Sequence, residues 1–115
     1  DDLWQASKLE KQVRCLDAEP DLGLVHTWMA LIDEHGKPRG RVMASNTEGD
    51  VWQQLVERNT IASSSVMVRR SCFETVGVFS SMRELYPIED WEMWIRIAAR
   101  YPFAVIKEPL ISWRQ

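Results

Sequence analysis

Between Leu22 and Ile32 the chain runs almost without interruption through apolar and β-favouring residues, among them Leu24, Val25, Thr27, Trp28, Met29, Leu31 and Ile32. A strand wetted on one side would alternate; one this uniformly apolar suits burial on both faces. Two covered faces call for helices packed on a sheet, and the rest of the chain supplies candidates. Ser7-Lys8-Leu9-Glu10 is a capping box, and Leu9, Val13 and Leu16 continue at helical spacing to about Ala18, ahead of Pro20. Residues 33–38 read as a turn, with Gly36 available for positive φ, and Arg41–Met43 as a short returning strand. Asp50 can cap a helix from Val51 to about Arg58, with Val51 and Leu55 on one stripe, Trp52 and Val56 on the next, and Asn59 as the stop. Residues 61–70 read as extended. Ser71-Cys72-Phe73-Glu74 is a second capping box, opening a helix that ends at Gly77, and residues 80–85 read as a loop. Phe103–Ile106 and Leu110–Trp113 read as two closing strands. This alternation predicts an α/β layered domain with a mixed sheet.

The remaining helix is the most suggestive chemically. Pro87 favours a helix start, and Trp91, Trp94, Ile95 and Ala98 then recur at i, i+3, i+4 and i+7, one buried helical face. Glu89 and Asp90 fall in its first turn, where the helix dipole stabilises negative charge by roughly 0.3–1 kcal/mol. A carboxylate held outward on a tryptophan-anchored helix is suited to accept a proton. Acidic residues are also favoured in first turns for stability alone, so both readings stand at this point.

A chain of 115 residues fits one domain, and 45% hydrophobic residues can supply a core. The net charge of −3, with acids and bases interspersed, argues against nucleic acid, which needs a concentrated basic face. No apolar run approaches the ~20 residues of a membrane span, and no signal-peptide pattern is present. Cys15 and Cys72 have no metal-ligand spacing and form no motif with His26 or His35, so free thiols are expected. Six tryptophans are many for this length; core and interface are their usual places, and one or two could line a ring-shaped ligand.

Three further clusters have a functional and a plainer reading. Asp1-Asp2 could hold a divalent cation through hard carboxylate oxygens, or be a solvated terminus. The short polar side chains from Asn59 to Ser65, Ser64 and Ser65 among them, could meet ligand hydroxyls or simply face water. Arg69-Arg70 could pair bidentately with phosphate, or be surface charge. No Gly-rich phosphate loop, Cys/His metal cluster or Ser/His/Asp order is present.

In their order along the chain, these pieces resemble the inverting family-two glycosyltransferases of the GT-A fold. Asp1-Asp2-Leu3-Trp4 followed by Lys8-Leu9-Glu10-Lys11-Gln12 is similar to that family's Leu-Asp-x-Asp-Asp, aromatic and Lys-Leu-Glu-x-Gln run. So are Asn59-Thr60-Ile61, Ser64 to Arg70, and Phe73-Glu74-x-Val76-Gly77-x-Phe79. Glu89 to Arg96 and the closing Glu108-Pro109-Leu110-Ile111-Ser112-Trp113-Arg114 complete the series. The resemblance implies a partial GT-A, Rossmann-like fold. It implies that Asp1 matches the second aspartate of the Asp-x-Asp motif, which holds Mg2+ or Mn2+ against the donor diphosphate. It implies that Asp90 is the general base that deprotonates the acceptor hydroxyl, with Glu89 as runner-up or orienting neighbour. By the same resemblance Ser64 and Ser65 face substrate, Trp91 borders the acceptor and Arg69 approaches the diphosphate.

The expected partners are a nucleotide-diphosphate sugar and a glycan or lipid-linked acceptor. The family's nucleotide-binding half is expected to be absent, so that residues 1–115 are the C-terminal, acceptor-side part of a catalytic domain, weak in nucleotide-sugar affinity by itself. Its absence would leave the Leu22–Ile32 strand or its neighbour as an open edge, inviting a homo-oligomer. The expected location is cytoplasmic, or peripheral to the inner face of the membrane. The competing expectation is a non-catalytic carbohydrate-binding or protein-interaction module, with Glu89-Asp90 as a cap only.

Overall fold

The computed structural model describes residues 2–77 and 89–114. The elements are β1 (Asp2–Trp4), α1 (Lys8–Ala18), β2 (Leu24–Ile32), β3 (Pro38–Met43), α2 (Trp52–Glu57), a 3-10 turn (Ser63–Ser65), β4 (Met67–Val68), α3 (Arg70–Val76), α4 (Glu89–Ala98) and β5 (Phe103–Arg114). The expected loop at 80–85 and the start at Pro87 lie outside the described residues. Among the described residues the strands form one mixed sheet in the order β1-β5-β2-β3, with β4 also pairing β2.

The apolar stretch at 22–32 becomes β2, the middle of the sheet. β5 runs parallel to it on one side, and β3 and β4 antiparallel on the other. Of the two strands expected as an open edge, the Leu22–Ile32 strand is therefore not one: an apolar strand gains most when both backbone edges are paired and both faces covered. Its neighbour β3 lies at one edge of the sheet and β1 at the other; β3 is exposed throughout and carries Pro38, Arg39 and Arg41, residues that discourage edge pairing. Between β2 and β3 the turn forms as expected. Asp33 accepts from the amides of His35 and Lys37, at 2.8 and 2.9 Å, and Gly36 takes φ 80°.

One core joins α2, α3 and α4 to the sheet through Val51, Leu55, Ile61, Cys72, Met93, Ile97, Leu24 and Phe103. A smaller one joins α1 through Leu16, Leu22 and Val25, with Met67 and Ile106 packed against it. Both cysteines are free thiols.

Several local expectations change. α1 turns Leu9 and Val13 outward and buries Lys8, Gln12 and Leu16 instead. A polar seam decides this. The Gln12 amide donates to the carbonyls of Val25 (3.1 Å) and Ser65 (2.7 Å) and accepts from Lys8 Nζ at 2.7 Å. Lys8 also stands 4.1 Å from the centroid of the Trp4 ring, and burial lowers its pKa. Neither capping box forms: the side chain of Ser7 makes no cap bond, and α3 begins two residues early, with Arg69 rather than Ser71 at its N-cap. Val51, not Asp50, is the N-cap of α2; Val51 and Leu55 are buried, while Trp52 and Val56 are exposed. Only Met67–Val68 of the 61–70 stretch pairs as a strand. β5 joins the two expected closing strands into one, absorbing Pro109 by a register shift opposite Trp28. α4 buries Met93, Trp94, Ile97 and Ala98, so its inner face is rotated and Trp91 and Ile95 are half-buried.

Candidate functional site

A hollow of about 590 Å³ opens beside one end of the sheet. Its floor takes one residue from each of four strands: Asp2 from β1, Trp113 from β5, Met29 from β2 and Met43 from β3. Register explains the grouping. Asp2 pairs with Trp113 and Met29 with Met43, while Leu31, two residues on from Met29, pairs with Trp113. Partners across a ladder share a face, so these side chains form one row across the sheet. The wall is residues 59–64, the polar segment between α2 and the 3-10 turn. It is pinned from below: Asn59 Oδ1 accepts from the Ile61 amide at 3.3 Å, Thr60 and Thr47 share a hydroxyl bond of 2.6 Å, and Gln12 holds the Ser65 carbonyl.

The residues singled out from sequence divide as follows. Asp1 lies outside the described residues. Its neighbour Asp2 lines the hollow, and the Ser64 hydroxyl donates to its carboxylate. Ser65 is fully buried and turned away, its hydroxyl donating to the Ala62 carbonyl at 2.7 Å. Arg69 does not line this hollow. Its guanidinium donates to the carbonyls of Leu22 (2.6 Å), Glu19 (2.9 Å) and Leu16, clamping the C-terminal end of α1 to the start of β2.

Glu89 and Asp90 form the first turn of α4, half-buried, and are not among the residues lining the hollow. Asp90 Oδ1 accepts from the Trp91 amide at 2.7 Å. Glu89 Oε2 is buried with no hydrogen-bond partner among the described residues. The Trp91 indole donates to the Leu55 carbonyl in α2 at 2.6 Å. That bond ties the tip of α4 to the helix that leads, two residues after its end at Glu57, into the wall at Asn59.

Sequence reasoning passed over Trp113, Met29 and Met43 as lining residues, and read Asp2 only as a possible cation ligand beside Asp1. Trp113 and Asp2 carried a signal, since both sit in motifs already marked; the two methionines carried none, because only strand pairing brings them together.

Among the described residues no three His, Cys, Asp or Glu side chains converge to hold a metal ion. Among the described residues Asp2 is the one carboxylate lining the hollow, and it accepts from the Ser64 hydroxyl. The described residues do not by themselves make a metal centre. No helix among them is long and apolar enough to cross a membrane.

No protein-family model matches the chain. It is similar to three proteins whose names call them glycosyltransferases. "Putative glycosyltransferase EpsE" of Bacillus subtilis is 29% identical over 84% of this chain and 34% of its own length. "Amylovoran biosynthesis glycosyltransferase AmsE" of Erwinia amylovora is 28% identical over 99% of this chain and 42% of its own. "Uncharacterized glycosyltransferase MJ1057" of Methanocaldococcus jannaschii is 25% identical over 99% of this chain and 39% of its own. The chain thus spans between a third and under a half of the length of these curated relatives, and is an α/β chain similar to proteins named as glycosyltransferases over 84–99% of its residues.

Proposed function

We propose that these residues belong to the acceptor side of an inverting, GT-A-type glycosyltransferase that moves a sugar from a nucleotide-diphosphate donor to an acceptor hydroxyl, with Asp90 as the general base. The observation that carries this reading is the similarity to proteins named as glycosyltransferases over 84–99% of the chain. The tie from the Asp90-bearing helix tip to Leu55 in α2, the helix that precedes the wall of the hollow, supports it.

In this mechanism the acceptor oxygen attacks the anomeric carbon on the face opposite the diphosphate. The new C–O bond forms as the bond to diphosphate breaks, and diphosphate leaves with the electron pair. Asp90 takes the acceptor proton. Glu89, beside it, orients the base. The Mg2+ or Mn2+ that belongs to this reading is assigned to Asp1, outside the described residues; when bound, such an ion offsets charge on the diphosphate.

The test is Asp90→Asn in an intact enzyme containing this segment, with Glu89→Gln beside it. Base catalysis contributes about 10²- to 10⁴-fold, so turnover should fall by that order while thermal unfolding stays unchanged. Full turnover in Asp90→Asn removes the assignment, and a larger loss in Glu89→Gln transfers it to Glu89.

A further inference from the structure

His26 sits in β2, the strand paired on both sides, and is fully buried. The Thr47 carbonyl can only accept, so their 2.7 Å contact places the ring proton on Nε2 and leaves Nδ1 as a bare acceptor. Nδ1 is buried and meets no partner among the described residues. Thr47 belongs to the connection between β3 and α2, which the sheet holds at three points. The Trp28 indole donates to the Ser45 carbonyl at 3.1 Å, His26 holds Thr47, and Gly49 and Phe103 exchange backbone bonds of 2.8 and 3.0 Å. The Thr47 hydroxyl accepts from Ser45 at 3.0 Å, which leaves its own proton for Thr60 at 2.6 Å. Thr60 in turn lines the hollow of about 590 Å³ and a smaller one of about 280 Å³ that shares Met29 and Met43 with it. Two steps thus lead from a buried imidazole to the wall.

We infer that His26 is a proton-operated latch on this wall: neutral, it holds Thr47 where Thr47 holds Thr60; protonated, it releases residues 44–48 and, through them, the wall at Thr60. The reason is an asymmetry among its neighbours. A second ring proton makes Nδ1 a donor and adds a charge, both costly in a dry interior. β2 cannot yield, because strands are bonded along both its edges. Residues 44–48 lie outside helix and sheet and can. Their movement admits water, which accepts from the new N–H.

Burial lowers the pKa of the ring, while the Thr47 bond and the charge of Glu48 oppose this. Lys107 of β5 stands 3.6 Å from Glu48 and offsets part of that charge. The latch is therefore shut at neutral pH and opens in acid. The far end of the wall keeps its own ties, from Ser64 to Asp2 and from Gln12 to the Ser65 carbonyl, so the opening is local. This inference needs neither Asp90 nor sugar transfer.

The experiment takes the 115-residue chain, labelled with 15N, through an NMR titration from about pH 7.5 to 4.5. Ring signals report His26 and the exposed His35 separately, each assigned by its loss in His26→Gln or His35→Gln. The amides of Thr60 and Ile61 should shift with the midpoint of His26 and not with that of His35, and should stay still in His26→Gln. Thr47→Val keeps the carbonyl that His26 bonds but loses the hydroxyl. In that variant His26 should still titrate, and Thr60 and Ile61 should no longer follow it. Thr60→Val cuts the same bond from the other side and should uncouple Ile61 equally.

Wall amides that follow His35, that ignore His26, or that follow His26 undiminished in both Thr47→Val and Thr60→Val overturn the latch. So does a ring that never titrates while the fold holds. Loss of all native signals as His26 takes its proton also overturns it, since that is unfolding of the whole domain and not release of one wall.

Discussion

The indole nitrogen of Trp91 donates a hydrogen bond to the carbonyl oxygen of Leu55 at 2.6 Å. Leu55 stands in the last turn of α2, where carbonyls lack an intrahelical partner. One bond thus satisfies an orphan carbonyl and fixes the helix tip carrying Glu89 and Asp90 to the helix that delivers the wall of the hollow. Trp91→Phe keeps most of the ring but loses the donor. Removing one partner of a part-buried bond costs about 1–3 kcal/mol, so urea unfolding should show a loss in that range. An unchanged midpoint would mean that water replaces the indole at no cost.

The buried Lys8–Gln12 pair makes a sharper demand on stability. Gln12→Leu fills a similar volume but strips Lys8 of its acceptor and leaves the Val25 and Ser65 carbonyls without that donor. An uncompensated buried charge costs about 3–5 kcal/mol. A loss of this order is expected in Gln12→Leu, largely recovered in the double variant Lys8→Met with Gln12→Leu. A double-mutant cycle of denaturation measurements reads the coupling; simple additivity would show that the two side chains act separately.

Gly23 shows how tightly the start of β2 is packed. A Cβ there would lie 2.5 Å from Tyr101 Cβ and 3.2 Å from Cys72 Sγ. The neighbours belong to the connection that follows α4 and to α3, so both would have to move. Overpacking of this kind costs about 1–3 kcal/mol. Gly23→Ala should lower the unfolding midpoint accordingly, and adding Cys72→Ala, which relieves only the sulfur contact, should restore little of it.

His26 predicts the pH dependence. It is fully buried, its Nε2 bonded to the Thr47 carbonyl at 2.7 Å and its Nδ1 without a partner among the described residues. Burial lowers its pKa from 6.5, against smaller opposing effects of the Thr47 bond and the Glu48 charge. The folded protein therefore resists a proton that the unfolded chain accepts near pH 6.5. The resulting stability is present above that value and is lost as pH falls toward the lower folded pKa. Urea midpoints should drop between pH 7.5 and 5.5, and less steeply in His26→Gln, which keeps a donor for Thr47. Parallel profiles in the two proteins would assign the acid sensitivity elsewhere.

Sequence alone was enough for the alternation of helices and strands, the burial of 22–32, the Asp33–Lys37 turn and the extent of α1. Each of these is set by neighbours within a few turns: side-chain periodicity, a proline, a glycine at positive φ. The sequence also marked Asp2, Ser64 and Trp113 within motifs, without showing that they meet.

Tertiary structure decided the rest. Leu9 and Val13 looked like the inner face of α1, but Gln12 could satisfy two backbone carbonyls and so took Lys8 inside with it. Arg69 looked free to meet a diphosphate, but the carbonyls ending α1 lay within its reach. The hollow exists because β1 pairs with the far end of the chain, setting Asp2 beside Trp113, and because Ser64 closes over Asp2. Periodicity records how one segment divides between water and protein; it carries no record of which distant segment will supply the partner for a strand edge or a buried polar group.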